Sequence, residues 1–122
     1  MADTILIVDD SPSVRSLETL VLKAAGFQTD TASNGVEALE KIYNGRYALV
    51  IMDINMPKMD GLTAIKMLRE QQAYKDLPII MMTSEAEEKD RVGGINAGVT
   101  AYLVKPVTPE NLLMNVKMLL DK

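Results

Sequence analysis

Five short apolar runs alternate with amphipathic stretches along the chain, and this alternation limits the possible folds more than any other feature. Three runs are continuously apolar, as strands buried on both faces should be: residues 5–8, 48–52 and 79–82. Two runs, residues 29–31 and 101–104, are more polar and are predicted to be edge strands. Strict alternation of strands and helices implies a parallel sheet with helices on both faces.

The stretches between the runs carry apolar residues at helical spacing, for example Val14, Leu17, Val21 and Ala24 in the first. Two helix starts are marked by an N-cap hydroxyl before a proline, at Ser11-Pro12 and Thr108-Pro109. Three helices are predicted to end at glycines: Gly26, Gly45 and Gly98. We therefore predict an α/β (βα)5 doubly wound fold, with a five-stranded parallel sheet in the flavodoxin-like order 2-1-3-4-5.

The composition removes several classes of function. A chain of 122 residues fits one domain, predicted over residues 1–122, and leaves no room for an output domain. It contains no Cys and no His, which excludes disulfides, thiolate catalysis and Cys or His metal ligands. A net charge of −4 argues against nucleic acid as a partner. With neither a membrane span nor a signal peptide visible, we expect a cytoplasmic protein.

Polar residues follow the predicted strands at their carboxyl ends, where doubly wound sheets place their working sites. These residues are Asp9 and Asp10 after the first strand, Asp53 after the third, Thr83 and Ser84 after the fourth, and Lys105 after the fifth. Each of these positions also has a simpler explanation when taken alone: a helix dipole can stabilise an acidic pair, and a threonine can cap a helix. The shared strand-end placement favours one site built from all of them.

Three carboxylates brought together repel one another, by roughly 4 kcal/mol for each pair at about 4 Å and an effective dielectric near 20. A small dication with oxygen ligands offsets this, which predicts Mg²⁺, with Asp10 and Asp53 as the best direct ligands. A carboxylate can also act as a nucleophile toward phosphorus. Lys105 and Thr83 can then hold the phosphoryl oxygens, and a cis bond from Lys105 to Pro106 would fix the direction of the lysine.

Two other classes of protein use parts of this pattern. A phosphohydrolase of the haloacid dehalogenase type has a nucleophilic Asp after a strand and needs a second Asp two residues later, where this chain has Asn55. A flavodoxin-like carrier needs a phosphate loop rich in glycine and hydroxyls after the first strand. The acidic sequence of residues 9–12, DDSP, has the wrong charge for that loop.

Four segments in this order resemble the receiver domains of bacterial response regulators: IVDD at 7–10, MDINMPKMDG at 52–61, MTS at 82–84 and VKP at 104–106. The resemblance covers the whole chain. It implies that Asp53 is the phosphoacceptor and that Asp9 and Asp10 bind Mg²⁺, with Asp9 acting through water. It also implies that the Asn55 backbone carbonyl is a metal ligand, and that the phosphoryl donor is a histidine on a partner kinase.

The resemblance assigns further roles. Thr83 and Lys105 match the residues that contact the phosphoryl group, and Tyr102 occupies the position of the switch aromatic, although a tyrosine on an edge strand is also explained by packing. Asn55 and Glu85 resemble the chemotaxis members at positions that tune phosphate lifetime. Such a protein is a switch, not an enzyme acting on separate substrates.

Single-domain receivers act by docking on another protein, and in the chemotaxis type that protein is the flagellar motor switch. The family places its output face on helix 4, strand 5 and helix 5, and we expect a monomer. A phosphorelay intermediary that returns the phosphoryl group to a histidine protein remains the alternative within the family. Gly93-Gly94 lies inside the fourth helix, where glycine is unfavourable. Close packing or a short helix would explain the pair, and our alternative hypothesis is a marginal helix that orders on phosphorylation or partner binding.

Overall fold

The computed structural model describes residues 3–56, 59–84 and 88–121, with Glu88 described in its backbone alone. Five strands alternate with five α-helices and one 3-10 turn at Gln72–Tyr74. The strands are β1 Thr4–Val8, β2 Gln28–Ala32, β3 Leu49–Asp53, β4 Ile79–Thr83 and β5 Ala101–Val104. The helices are α1 Pro12–Ala24, α2 Gly35–Asn44, α3 Gly61–Arg69, α4 Glu88–Ala97 and α5 Pro109–Leu120.

All strand pairs are parallel, and the sheet order is β2-β1-β3-β4-β5. The predicted fold class and strand order are confirmed, with the two more polar strands at the edges. The three central strands are buried on both faces because helices cover the sheet from both sides. Within the described residues, no helix has the length and apolar character needed to cross a bilayer.

Two apolar clusters lie on opposite faces of the sheet. One contains alternate strand residues together with side chains of α2, α3 and α4: Leu6, Val50 and Met52 with Leu39, Ile65 and Ala97. The other contains the intervening strand residues and side chains of α1 and α5: Ile7, Ile51 and Met82 with Leu22, Leu112 and Val116. The helices are therefore divided between the two faces, as doubly wound topology requires.

The capping predictions hold at the helix starts. The Ser11 Oγ accepts a hydrogen bond from the Val14 N–H at 3.4 Å, and the Thr108 Oγ1 accepts one from the Asn111 N–H at 3.1 Å. Gly26 and Gly98 follow helices with φ +96°, a left-handed conformation that favours glycine. Gly45 instead has φ −139° and is extended.

The buried face of α1 differs from the predicted stripe. Glu18 and Leu22 are the buried residues of this helix, whereas Leu17 is 54% exposed. The sequence predicted Leu17 inside because it follows Val14 at helical spacing. In the structure the helix is turned so that a carboxyl group takes the inner position.

Small residues carry the packing of α4. Gly94 and Ala97 are the buried positions among residues 89–97 of this helix, and a Cβ added to Gly94 would lie 2.7 Å from the Sδ and Cε atoms of Met81. The glycine therefore lets α4 approach β4 closely. Close packing accounts for Gly94, whereas the predicted ordering of α4 on phosphorylation stays a prediction.

Candidate acidic site at the carboxyl edge of the sheet

Three carboxyl groups meet at the carboxyl edge of the sheet. Val8 of β1 pairs with Met52 of β3, so the residues that follow them, Asp9 and Asp53, are neighbours across the strands. One carboxylate oxygen from each of Asp9, Asp10 and Asp53 can be chosen so that the three atoms lie within 4.8 Å of one another. Asp9 and Asp53 are buried, with 2% and 3% exposure, and Asp10 is exposed. The site thus has a buried base and an open acidic rim.

Lys105 reaches this cluster from the end of β5. Its Nζ lies 2.7 Å from Asp9 Oδ2 and 3.3 Å from Asp53 Oδ2, and its peptide bond to Pro106 is cis, as the sequence suggested. Burial lowers the pKa of the Lys105 ammonium, but the hydrogen bond to Asp9 and the charge of Asp53 outweigh it and raise that pKa. Lys105 therefore stays charged and offsets part of the local negative charge.

The Asp53 carboxyl is held at both oxygens. Its Oδ1 accepts a hydrogen bond from the Asn55 N–H at 3.0 Å, while Oδ2 faces Lys105. Burial raises the pKa of this carboxyl, and the Asn55 N–H and Lys105 oppose that rise. Asp9 is held similarly, since its Oδ1 accepts from the Ser11 N–H at 2.9 Å. Both carboxyl groups are thereby fixed in orientation.

Polar side chains at the ends of β3 and β4 form a second layer around the acids. Thr83 is fully buried, and its hydroxyl lies 3.4 Å from Asn55 Oδ1 and 3.4 Å from Asp90 Oδ2. The Ser84 N–H and hydroxyl are each 3.3 Å from the same Asn55 oxygen. The exposed Asn55 amide therefore connects the loop after Asp53 to the end of β4.

Gly61 positions α3 against the strand that carries Asp53. A Cβ added to Gly61 would lie 2.5 Å from the Asp53 carbonyl oxygen and 2.8 Å from the Ile54 Cα. Both atoms belong to the backbone and cannot move aside as a side chain does. A residue without a Cβ is therefore required where α3 begins.

The predicted site residues fall into three groups. Asp9, Asp10, Asp53 and Lys105 come together, and Thr83 ends the strand next to Asp53. Tyr102 lies apart from this cluster. It is half-buried on β5 and pairs in register with Met81, whereas Thr83 pairs with Val104, two positions after Tyr102. Glu85 lies outside the described residues, so its role in phosphate lifetime stays a prediction.

Two acids near the site were missed by the sequence analysis. Asp90 contacts Thr83 from α4, and nothing in the local sequence marks it. Glu18 is only 7% exposed, and its pKa is raised to about 7 by burial and by the charges of Asp9 and Asp53, against the lowering effect of Lys105. A signal for Glu18 did exist, since it lies four residues after Val14 and three before Val21.

The acidic cluster could hold a metal ion. It offers carboxylate oxygens and no nitrogen or sulfur ligand, which is the donor set of a hard cation such as Mg²⁺. The open side at Asp10 leaves room for water or phosphate oxygens as further ligands. The residues present therefore fit the predicted Mg²⁺, and the assignment of each ligand stays a prediction.

Comparisons with known proteins agree with this geometry. Residues 5–117 match the family model described as "Response regulator receiver domain". The chain is 41% identical over all 122 residues to the transcriptional regulatory protein SrrA of Staphylococcus aureus, of which it covers 49%. It thus spans about half the length of the curated relatives it matches.

Solved structures resemble the fold over nearly their whole length. The chemotaxis protein CheY4 of Vibrio cholerae superposes with a TM-score of 0.92 at 39% identity, covering 98% of this chain and 99% of that one. A putative response regulator from Chloroflexus aurantiacus gives 0.94 at 37% identity, with 100% of both chains covered. The response regulator TrrA of Thermotoga maritima, in complex with Mg²⁺ and BeF, gives 0.87 at 37% identity, covering 96% and 98%.

Proposed function

The chain belongs to the response regulator receiver domain family of two-component signalling, and on that basis we propose that Asp53 is its phosphoacceptor. The observation that carries the proposal is the arrangement of Asp53, whose Oδ2 lies 3.3 Å from the Lys105 ammonium beside two further carboxylates. A receiver is a signalling switch. We accordingly expect a change of state on Asp53 and no turnover of a separate substrate.

The proposed transfer is a displacement at phosphorus. An Asp53 carboxylate oxygen attacks the phosphorus of a phosphohistidine on the partner kinase, a P–O bond forms, the P–N bond breaks, and the imidazole leaves and is protonated. Lys105 and Thr83 hold the phosphoryl oxygens. Asp10, Asp53 and the Asn55 carbonyl would hold Mg²⁺ directly and Asp9 would hold it through water, and the bound ion would offset the negative charge that otherwise repels the incoming phosphoryl group.

Phosphorylation of Asp53 should change the contacts of Lys105, because it changes the charge that the lysine faces. Its Nζ donates a hydrogen bond to Asp9 and forms an ion pair with Asp53, which stabilises the Asp53 carboxylate. Once Asp53 becomes an acyl phosphate, its carboxylate charge is replaced by the charge of the phosphoryl oxygens, which lie farther out. Lys105 can then follow the new charge while keeping Asp9 as its second partner, so the rearrangement needs little backbone movement.

For the downstream role we propose docking of the phosphorylated chain on another protein through α4, β5 and α5, in chemotaxis or motility. The Vibrio cholerae neighbour is a chemotaxis protein, which supports this, while SrrA is a transcriptional regulator. We further propose the Tyr102 switch role, the lifetime roles of Asn55 and Glu85, a receiver domain over residues 1–122, and a monomer. A phosphorelay intermediary is the alternative.

The acceptor is tested by intact mass after incubation with Mg²⁺ and acetyl phosphate. The wild type is expected to gain one phosphoryl group, and Asp53→Asn none. Asp121→Asn is a matched control because Asp121 has φ 57°, a left-handed conformation that Asn also tolerates, and it should gain the group normally. No gain by the wild type with any divalent ion would refute the proposal, as would an equal gain by Asp53→Asn.

A second experiment separates docking from relay. The phosphorylated, labelled chain is incubated with purified candidate partners, and the label is followed. Transfer of label to a histidine protein supports the relay. Retention of label together with tighter binding of the phosphorylated form supports docking.

A further inference from the structure

A cavity of about 430 Å³ lies between α1 and α5, beside the acidic site. Its walls come from α1, from the end of β4, and from the segment that runs from Lys105 into α5. Most of its lining is apolar, including Val14, Val21, Met82, Val107 and Leu112. A cavity of this size and character is typical of sites that take small organic molecules.

Glu18 is the acid in the wall of this cavity. It is more than nine-tenths buried, at 7% exposure, and among the described residues its carboxyl makes no hydrogen bond and no ion pair. No side-chain oxygen that is sealed from solvent lacks a partner in the described part of the chain, so the Glu18 carboxyl is reached by solvent, and Glu18 lines the cavity. A buried carboxyl without a partner is costly and favours any donor that can reach it.

The other polar groups of the cavity already have partners. The Lys105 ammonium lies between Asp9 and Asp53, which offset its charge. The Ser84 N–H and hydroxyl both contact Asn55. Among the described polar groups of the cavity, Glu18 is therefore the one without a partner, and it is negative when it is ionised.

We propose that this cavity binds a small organic cation, an alkylammonium whose apolar chain lies against Val14, Val21 and Leu112 and whose ammonium pairs with Glu18. The cavity adjoins the phosphoacceptor site and shares Lys105 with it, but binding in the cavity requires neither phosphorylation nor Mg²⁺. The ammonium supplies the hydrogen bonds that Glu18 lacks, and the chain fills the apolar space.

The test is a titration of the full, unphosphorylated chain without divalent ions at pH 8, followed by backbone amide NMR. The probes are n-hexylammonium and n-hexanol, which share a chain and differ in charge. We expect hexylammonium to bind at least about tenfold more tightly, as a charge-assisted hydrogen bond provides, with shifts at the cavity residues of α1 and α5. Equal affinities, or shifts confined to other surfaces, would overturn the proposal.

Two variants locate the effect. Glu18→Gln should bind both probes alike, and Glu40→Gln, which removes an exposed acid from α2, should keep the preference. Persistence of the preference in Glu18→Gln would also overturn the proposal. If Glu18→Gln does not fold, the wild type is titrated at pH 5.5 instead, where protonation of Glu18 should abolish the preference for hexylammonium over hexanol. A preference as large at pH 5.5 as at pH 8 would refute the role of Glu18.

Discussion

The buried carboxyl of Glu18 should make the stability of the fold fall as the pH rises. Its pKa is about 7 in the folded chain against an ordinary value of 4.5, so the native state keeps a proton that the unfolded chain has released. Between these two values the native state binds more protons, and the free energy of unfolding therefore decreases with pH. At about 1.4 kcal/mol for each pH unit, the window corresponds to about 3 kcal/mol.

Glu18→Gln removes this dependence while keeping the shape of the side chain. At pH 5 the variant and the wild type should be similar in stability, because the amide resembles the protonated acid. At pH 8 the variant should be more stable than the wild type by about 3 kcal/mol, because the wild type must bury an ionised carboxylate.

Urea unfolding followed by circular dichroism at pH 5, 6, 7 and 8, without metal, measures the effect. The difference between variant and wild type isolates Glu18, since the raised pKa of Asp53 contributes to both proteins. The chain contains no His, so histidine titration does not complicate this range. Glu40→Gln should follow the wild type at every pH. A difference that stays constant from pH 5 to pH 8 would show that Glu18 is not the group with the raised pKa.

Three other predictions concern the acidic site and α4. Asp10→Asn should lose Mg²⁺ binding in calorimetry yet melt no lower than the wild type without metal, because it relieves repulsion among the acids; a large loss of stability without metal would make Asp10 structural. Gly61→Ala should destabilise the fold in urea by about 1–3 kcal/mol, because the added Cβ meets backbone atoms at 2.5 and 2.8 Å. Gly93→Ala should not destabilise it, because the added Cβ meets only a Leu62 side-chain atom, at 3.2 Å. Equal losses of stability in the two variants would contradict this. In the unphosphorylated chain, amide exchange should be faster in α4 than in α3, and phosphorylation should slow the exchange in α4. Equal protection of the two helices in the unphosphorylated chain would exclude a marginal α4.

Strand order and the positions of the acids follow from the sequence because they depend on periodicity and strand ends. The apolar runs fix which strands are central, and parallel pairing then brings Asp9 and Asp53 to one edge. Lys105 could be assigned to the same edge for the same reason. These features need only the pattern of the chain and not the details of packing.

The rotation of α1 and the contacts of Asp90 could not be predicted in this way. Helical spacing allows either Leu17 or Glu18 to face inward, and hydropathy favours Leu17, yet the observed packing places Glu18 inside. Asp90 meets Thr83 because Gly94 and Ala97 let α4 lie close to β4. Both outcomes depend on how the helices pack on the sheet. A single local stretch of sequence does not determine that packing.

The hydrogen bond from Lys105 to Asp9 joins residues 96 positions apart, and the lysine follows β5, one of the two edge strands of the sheet. An edge strand has one hydrogen-bonded neighbour, so fraying there is expected before the central strands separate. The acceptor chemistry should then disappear while most of the secondary structure persists. Reactivity toward a phosphodonor would thus act as an early reporter of local opening, more sensitive to mild heat or denaturant than the circular dichroism of the whole chain.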